Sequence, residues 1–312
     1  MESEVFRNFD SNGFFMDKNV IAFQEYLLRE KNYSELTVNA YLKDVNDFRS
    51  FLKLDLNEQA IERVHYGQIR NWIVFLSDNK VSNRSINRKI SSLKAFYKFL
   101  LKIKEIEVNP LSEHRSLRMP KKIQIPFSEK ELQDVLKLEF QDDFEGIRNR
   151  LIIELLYATG MRRAELINLK LSSIDLSSGT IKVVGKRNKE RILPLLQSIL
   201  GSIQRYLIVR SSLEQIKDSD YFFVTKNGVK LYQTLVYRII NSYFSNVSEK
   251  VKRSPHVLRH SFATHLLDNG ADLNSVKELL GHSSLASTQI YVNSSLSELK
   301  KVYANAHPRN KK

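Results

Sequence analysis

Proline is absent from the first 109 residues, and then three fall within the next seventeen: Pro110, Pro120 and Pro126. Glycine is just as scarce over the opening stretch, where Gly13 and Gly67 stand alone before residue 107. Proline removes a donor and clashes inside a helix, and glycine carries an entropic penalty there, so a long run almost free of both is suited to helix above all. Apolar spacing predicts helices over 17–31, 35–53, 67–78 and 83–103. Val38, Tyr41, Leu42, Val45, Phe48 and Leu52 stripe the second, Ile69, Trp72, Ile73 and Leu76 the third, and Ile86, Ile90, Leu93, Phe96, Tyr97 and Leu100 the fourth. These stripes read as core. Over 108–127 the pattern stops: VNPLSEHRSLRMPKKIQIPF interleaves its prolines with Arg115, Arg118, Lys121 and Lys122, an extended basic linker too polar for a core. The expected division is a helical domain over 1–107, this linker over 108–127, and a second domain over 128–312 opening on a capping box of Ser128 and Glu131.

The second domain mixes periods. Helices are expected at 129–138, 144–159, 163–169, 195–212, 231–247, 255–269, 272–280, 284–292 and 295–305. GTIKVVGKRNKERILPL alternates and is rich in β-branched residues on both sides of a polar tip, which predicts a hairpin over 180–194, and YFFV predicts a short strand at 221–224. The fold class is mainly α with a small β-sheet or hairpin: a helical N-terminal domain plus a mixed α/β domain.

Composition narrows the partners. Across 312 residues, 49 Lys plus Arg against 35 Asp plus Glu leave a formal charge of +14, which predicts salt-sensitive binding to a polyanion. With no cysteine, disulfides, thiolate catalysis and cysteine-based zinc sites are excluded. The N-terminus is not a basic stretch followed by an apolar run, and no apolar segment reaches about 18 residues, so neither a secretory signal nor a membrane span is expected. A soluble, cytoplasmic protein is left. On the fourth helix Arg84, Asn87, Arg88 and Ser91 share a polar stripe suited equally to phosphates and base edges or to plain solvent.

SPHVLRHSFATHLLDNG, residues 254–270, concentrates the chemistry. Ser254 is placed as N-cap, Pro255 at the first helical position and Gly270 at the left-handed stop. At 100° per residue Leu258, Phe262, His265 and Leu266 form the apolar side, while His256, Arg259, His260 and Ala263 project together away from the core. His265 is read as a packing histidine. His256 and His260 have the i, i+4 spacing of a zinc helix, but Val257 stands where that motif needs Glu, and no metal or other cofactor is expected. Three further places combine phosphate-seeking or proton-transferring residues with a definite setting. ATGMRRAEL puts Arg162 just beyond a glycine helix stop, VVGKRNKE puts Lys186 and Lys189 at the hairpin tip, and LLGHSSLASTQIY puts His282 at a helix junction with Tyr291 nine residues on. Singly, each has a plain reading: Arg162 pairs with Glu165, Lys186 solubilises a turn, His282 caps a helix, and Tyr291 is one of 13 tyrosines.

From about residue 20 to the C-terminus the chain resembles the tyrosine recombinases of the lambda-integrase type, and among them the Xer recombinases of bacteria. ATGMRRAEL, VGKRNKERILPL, SPHVLRHSFATHLLDNGADL, ELLGHSSLASTQIYV and the ending VYANAHPRNKK carry the resemblance in order and spacing, and the ending leans to the XerC branch. The resemblance implies that Arg162 and Arg259 clamp a scissile phosphate, that Tyr291 is the nucleophile, and that Lys186 protonates the leaving 5′ oxygen. It further implies that His256 is an acid or base, that His282 hydrogen-bonds the phosphate, and that Glu165 supports Arg162. Lys189 is the alternative general acid. Two departures are minor: Asn293 stands where many relatives have histidine, and Met161 where leucine is common.

The roles suit the residue types. Two always-ionised guanidinium forks meet the charge that grows on a phosphodiester in the transition state. A phenol of pKa near 10 needs a base or strong positive potential to attack, and a leaving alkoxide needs an ammonium. A phosphotyrosyl intermediate keeps the bond energy, so no nucleotide is called for.

As in that family, the helical domain and the linker, with Arg84, Asn87, Arg88, Lys121 and Lys122, are expected to grip duplex DNA opposite the catalytic domain. A homo- or heterotetramer would assemble on sites of two half-sites, alongside a second Xer recombinase and a DNA translocase. The last helix, with Leu296, Leu299, Val302 and Tyr303 as its stripe, either packs into a neighbouring subunit or folds back on its own domain. Lack of a further N-terminal module favours the simple Xer plan of chromosome or plasmid dimer resolution. A mobile-element integrase or transposase of the same chemistry, and a sequence-specific DNA binder without catalysis, are the alternatives.

Overall fold

The computed structural model describes residues 17–55, 61–119, 125–185, 188–250, 252–281, 303 and 305–308. They fall into two compact units, 1–122 and 123–312, each with its own apolar core.

In the first unit α1 (Lys18–Glu25) runs into a π-helical turn over Tyr26–Glu30, followed by α2 (Glu35–Asp55), α3 (Tyr66–Asp78) and α4 (Asn83–Lys102). Val38, Val45, Phe48 and Leu52 of α2 meet Trp72 and the Ile86–Leu100 stripe of α4, all buried. Asp44 is wholly buried at this helix pair and is held by Arg88, Lys89 and the hydroxyl of Ser92 on α4. A buried carboxylate is tolerable only with such partners.

Part of the expected linker is not extended chain between cores. Leu111 is fully buried in the first core, and both the amide and the carbonyl of Leu117 pair with the side chain of Asn87. At the other end Phe127 is fully buried in the second core, where its amide donates to Ser261 Oγ at 2.8 Å. The segment is basic overall, yet three of its apolar residues, at 111, 117 and 127, pack its two ends against the cores. Lys121 and Lys122 lie outside the described residues.

The second unit comprises α5 (Glu129–Lys137), α6 (Phe144–Thr159), α7 (Arg163–Ile167), β1 (Ile174–Asp175), β2 (Thr180–Val184), β3 (Glu190–Pro194), α8 (Gln197–Ser211), α9 (Gln233–Ser245), α10 (Pro255–Asp268) and α11 (Leu273–Leu280). The capping box predicted for α5 is present, with Glu131 accepting from the Ser128 amide at 2.7 Å. Helix α6 is buried along almost its whole length and forms the axis on which α8 and α10 pack. The strands make an antiparallel sheet in the order β1-β2-β3, with Ile181 opposite Leu193 and Val183 opposite Arg191; β1 was not foreseen.

The strand expected at 221–224 does not form. Phe222, Phe223 and Val224 are all fully buried, but only isolated bridges pair Tyr221 with Lys170 and Val224 with Lys230, so no ladder is made. Side chains take the hydrogen bonds a sheet would use: Tyr206 Oη and Arg210 Nε both donate to the Phe222 carbonyl at 3.2 Å. The helices expected at 284–292 and over most of 295–305, with Leu296, Leu299 and Val302, lie outside the described residues. Tyr303 and His307 pack on their own unit, against Phe262 and Tyr157, and Tyr303 Oη donates to the carbonyl of Ala158 at the end of α6.

Helix α6 stops at Gly160, whose φ of +58° places it in the left-handed region. A Cβ there would sit 2.3 Å from Phe262 Cδ1, so the stop is also the place where α10 approaches most closely. Gly160→Ala is expected to cost roughly 2–4 kcal/mol, combining left-handed strain with overpacking. Urea unfolding of the full chain checks this; a midpoint within error of wild type would be inconsistent with the close approach.

Candidate active site

The turn that ends α6 sets the site. Immediately after Gly160 the chain buries Met161 and presents Arg162, the residue preceding α7. Glu165, in the first turn of α7, reaches back so that its Oε2 accepts from the Arg162 amide at 2.7 Å and its Oε1 from Arg162 Nη1 at 2.8 Å. The pairing of Arg162 with Glu165 was legible from their helical spacing.

A second arginine arrives from the sheet. Arg191 on β3 places Nη1 and Nη2 at 2.8 Å from the two oxygens of Glu165, a bidentate fork. The carboxylate therefore accepts four hydrogen bonds, close to its full capacity. Only 3% of the Glu165 side chain is exposed. Burial alone would raise its pKa, but the fork from Arg191 and the bonds from Arg162 prevail and bring it down to about 2.

The third arginine, Arg259, comes from α10. Two-sided reading of that helix placed it away from the core; instead it is buried, because Val257, Leu258, Ser261 and Phe262 around it are buried too and α10 is enclosed on most sides. Its Nη1 donates to the Gly160 carbonyl at 2.7 Å and its Nη2 to the Leu280 carbonyl at 2.6 Å. Burial first, and then the charge of Arg162, lowers its pKa to about 10, which leaves it ionised at neutral pH.

These arginines close over the C-terminus of α11. Arg191 Nε donates to the carbonyl of Leu279, Arg259 to that of Leu280, and Arg162 Nη2 to that of Gly281 at 3.1 Å. A helix leaves its last carbonyls unpaired and partly negative, and here three successive ones are each met by a cation. Three guanidinium charges against the one carboxylate of Glu165 leave an excess of positive charge, which makes the pocket suited to an anion.

His256, on the first turn of α10, is exposed, and its pKa is lowered by partial burial and then by the charges of Arg163, Lys252, Arg259 and Arg162. Both effects favour the neutral imidazole over the imidazolium. Ser254 stands at the N-cap position but does not cap with its side chain: the Val257 amide bonds the Ser254 carbonyl at 2.9 Å, and Ser254 Oγ is buried without a partner among the described residues. His265 is a packing residue, its Nδ1 3.0 Å from Tyr157 Oη. Lys186, His282 and Tyr291 lie outside the described residues. Lys189 is described and exposed, and its carbonyl accepts from the Gly185 amide to close the hairpin tip. In the first unit Arg84 is exposed, Asn87 is engaged by Leu117 and Arg88 by Asp44.

Arg191 escaped the sequence reading, although a signal was present. It lies two residues before the buried Leu193 on β3, hence on the same inward face.

Family comparison agrees with this geometry. Residues 126–298 match the model of the phage integrase family, and residues 20–104 match the N-terminal SAM-like domain of phage integrases. This chain belongs to the phage integrase family and is a tyrosine recombinase, an enzyme that breaks and rejoins DNA. It is XerC-like: tyrosine recombinase XerC of Chlorobaculum parvum is 40% identical, with 92% of this chain and 93% of that protein covered. The XerC proteins of Staphylococcus epidermidis and Anoxybacillus flavithermus are 38% and 39% identical, with 95% and 92% of this chain covered, and 99% and 96% of theirs. In fold it is similar to a XerH site-specific recombinase bound to a palindromic difH substrate (TM-score 0.66, 23% identity, 93% of this chain and 82% of that one). It is also similar in fold to a Tn1549 transposon integrase in complex with transposon right end DNA (TM-score 0.69, 20% identity, 90% and 97% covered). Among the described residues no helix is long and apolar enough to cross a membrane.

The Glu165 carboxyl gives a pH prediction. Its folded pKa, about 2, lies below the ordinary 4.5, so its contribution is complete above pH 4.5 and is lost as pH falls towards 2. The size of the depression corresponds to roughly 2–4 kcal/mol. The difference in unfolding free energy between wild type and Glu165→Gln should be constant above about pH 5 and shrink steadily below pH 4.5; a gap that is flat across that window would contradict the pairing.

Proposed function

We propose that this chain cuts and rejoins duplex DNA at a short site of two half-sites, as the housekeeping recombinase that resolves chromosome or plasmid dimers. The cluster of Arg162, Arg191 and Arg259 around Glu165 carries the reading, since it gathers all but one of the quoted motifs into one anion-seeking pocket. The 38–40% identity to XerC proteins over nearly the whole chain supports the housekeeping role over that of a mobile-element integrase, for which the transposon integrase offers likeness of fold alone.

In this mechanism Arg162 and Arg259 hold the non-bridging oxygens of the scissile phosphate and His282 adds a hydrogen bond. Tyr291 Oη attacks phosphorus and gives up its proton to His256, whose surroundings favour the neutral form that can accept it. The new bond joins the phenol oxygen to phosphorus while the bond to the 5′ oxygen breaks. Lys186 delivers a proton to that oxygen, leaving a 3′-phosphotyrosyl strand and a free 5′ hydroxyl. Rejoining is the same sequence reversed with the 5′ hydroxyl of the other duplex. Because the phosphoryl bond is exchanged and not hydrolysed, the step is close to isoenergetic. Two protomers per site and two sites make the tetramer, of this chain alone or with a second recombinase, and Arg84, Lys121 and Lys122 contribute phosphate contacts from the first unit and the linker.

A nicked duplex carrying the terminus-region site of the source genome tests the reading, scored for a covalent adduct on a denaturing gel. Wild type should form the adduct, Tyr291→Phe should form none while still shifting the duplex in a native gel, and Arg259→Lys should slow it by about 100-fold or more, the scale for loss of one positioned transition-state hydrogen-bond donor. Adduct formation by Tyr291→Phe would remove the nucleophile assignment. If a bound duplex yields no adduct even with the paired recombinase added, the catalytic reading fails and a binding role is left.

A further inference from the structure

Two glycines far apart in sequence approach one guanidinium. A Cβ on Gly281, whose φ is +63°, would lie 3.2 Å from both Cδ and Nη1 of Arg191. A Cβ on Gly185 would lie 3.6 Å from the same Nη1 and 3.4 Å from Glu165 Oε1. Each glycine immediately precedes a residue given a role in cleavage, Lys186 in one case and His282 in the other. Arg191 has little freedom between them: its side chain is 13% exposed, its two terminal nitrogens are forked onto Glu165 and its Nε is bonded to the Leu279 carbonyl. One planar group thus joins β3, α7 and the end of α11.

We propose that Arg191 is a positioning residue for strand cleavage. Through Glu165 it fixes the hairpin that carries Lys186 in register with Arg162. All three of its guanidinium nitrogens are engaged with protein acceptors on two other elements, where Arg162 and Arg259 each commit two, so its effect on the phosphate passes through the residues it places. Lysine cannot replace it, because an ammonium on a flexible stem has no rigid fork with which to span both oxygens of Glu165 and a carbonyl at once. The proposal rests on the assignment of Lys186 as general acid.

A leaving group that needs no proton separates positioning from general support. In a duplex with sulfur in place of the bridging 5′ oxygen, Tyr291 Oη bonds to phosphorus, the phosphorus–sulfur bond breaks, and sulfur departs as a thiolate, stable without a donor because thiols ionise near pH 8.5. The full-length protein, as wild type, Arg191→Lys, Arg191→Gln and Lys186→Ala, is mixed with nicked duplexes of the two kinds, and adduct formation is timed with all duplex bound. On the oxygen substrate both Arg191 variants and Lys186→Ala should be slowed about 100-fold, the low end of what a general acid contributes. On the sulfur substrate all three should approach the wild-type rate. Arg191→Lys keeps the charge beside Glu165, so the comparison survives if Arg191→Gln does not fold.

If Lys186→Ala is rescued by sulfur and the Arg191 variants are slowed equally on both substrates, the role is structural support and the proposal is overturned alone. Wild-type rates for the Arg191 variants on oxygen overturn it as well. If Lys186→Ala is not rescued, the general-acid assignment fails, and the proposal falls with it.

Discussion

Three guanidinium groups drawn to the end of one helix repel each other, and burial makes each costlier still. What permits the arrangement is the buried carboxylate of Glu165, which accepts from Arg162 and Arg191 on both oxygens and offsets part of the charge that bears on Arg259. The remaining donors turn to backbone carbonyls, three of them consecutive at the end of α11 and one at Gly160. A buried network of this kind stabilises only when it is satisfied throughout, and loss of one member strands the others in a medium that solvates them poorly. The two arginines proposed to hold a phosphate, Arg162 and Arg259, are in this way already oriented by the folded chain.

The same network explains how distant stretches of sequence come to share one site. Helix α6 supplies the stop from which Arg162 projects, β3 supplies Arg191, α10 supplies Arg259, and α11 delivers its carbonyls to all three. Hydrophobic packing sets these elements near one another, since α6, α10 and α11 contribute to one core. It is not directional, however, and the polar bonds supply the register that apolar contact leaves loose.

Where the sequence was legible, one physical signal dominated. Long helices with clean apolar stripes, α2, α3 and α4, and the hairpin of β2 and β3 could be read within a few residues of their observed ends, because each presents one face to a core. The misreadings share a cause: elements buried on more than one side carry no face for periodicity to reveal. Arg259 was turned outward because α10 was treated as two-sided, and Tyr221–Val224 was taken as a strand because its apolar run hid the fact that Tyr206 and Arg210 satisfy its backbone. Arg191 went unnoticed for another reason, since an arginine on a short strand invites a solvent reading until its partner two elements away is seen. The residues proposed to act on a phosphate were singled out by motif, with pattern adding little, because the spacing of an active site reflects chemistry and not the period of a helix.

The bond from Tyr303 to the last turn of α6 also bears on where Arg162 stands. Ala158, in that last turn, accepts from Tyr303 Oη, and Gly160, the left-handed stop, accepts from Arg259 Nη1. A helix frays first where its last carbonyls have only water to meet them. Here two of the carbonyls at the end of α6 are met instead by a phenol and a guanidinium that arrive from much further along the chain. The platform from which Arg162 projects is in this way braced by segments remote from it in sequence.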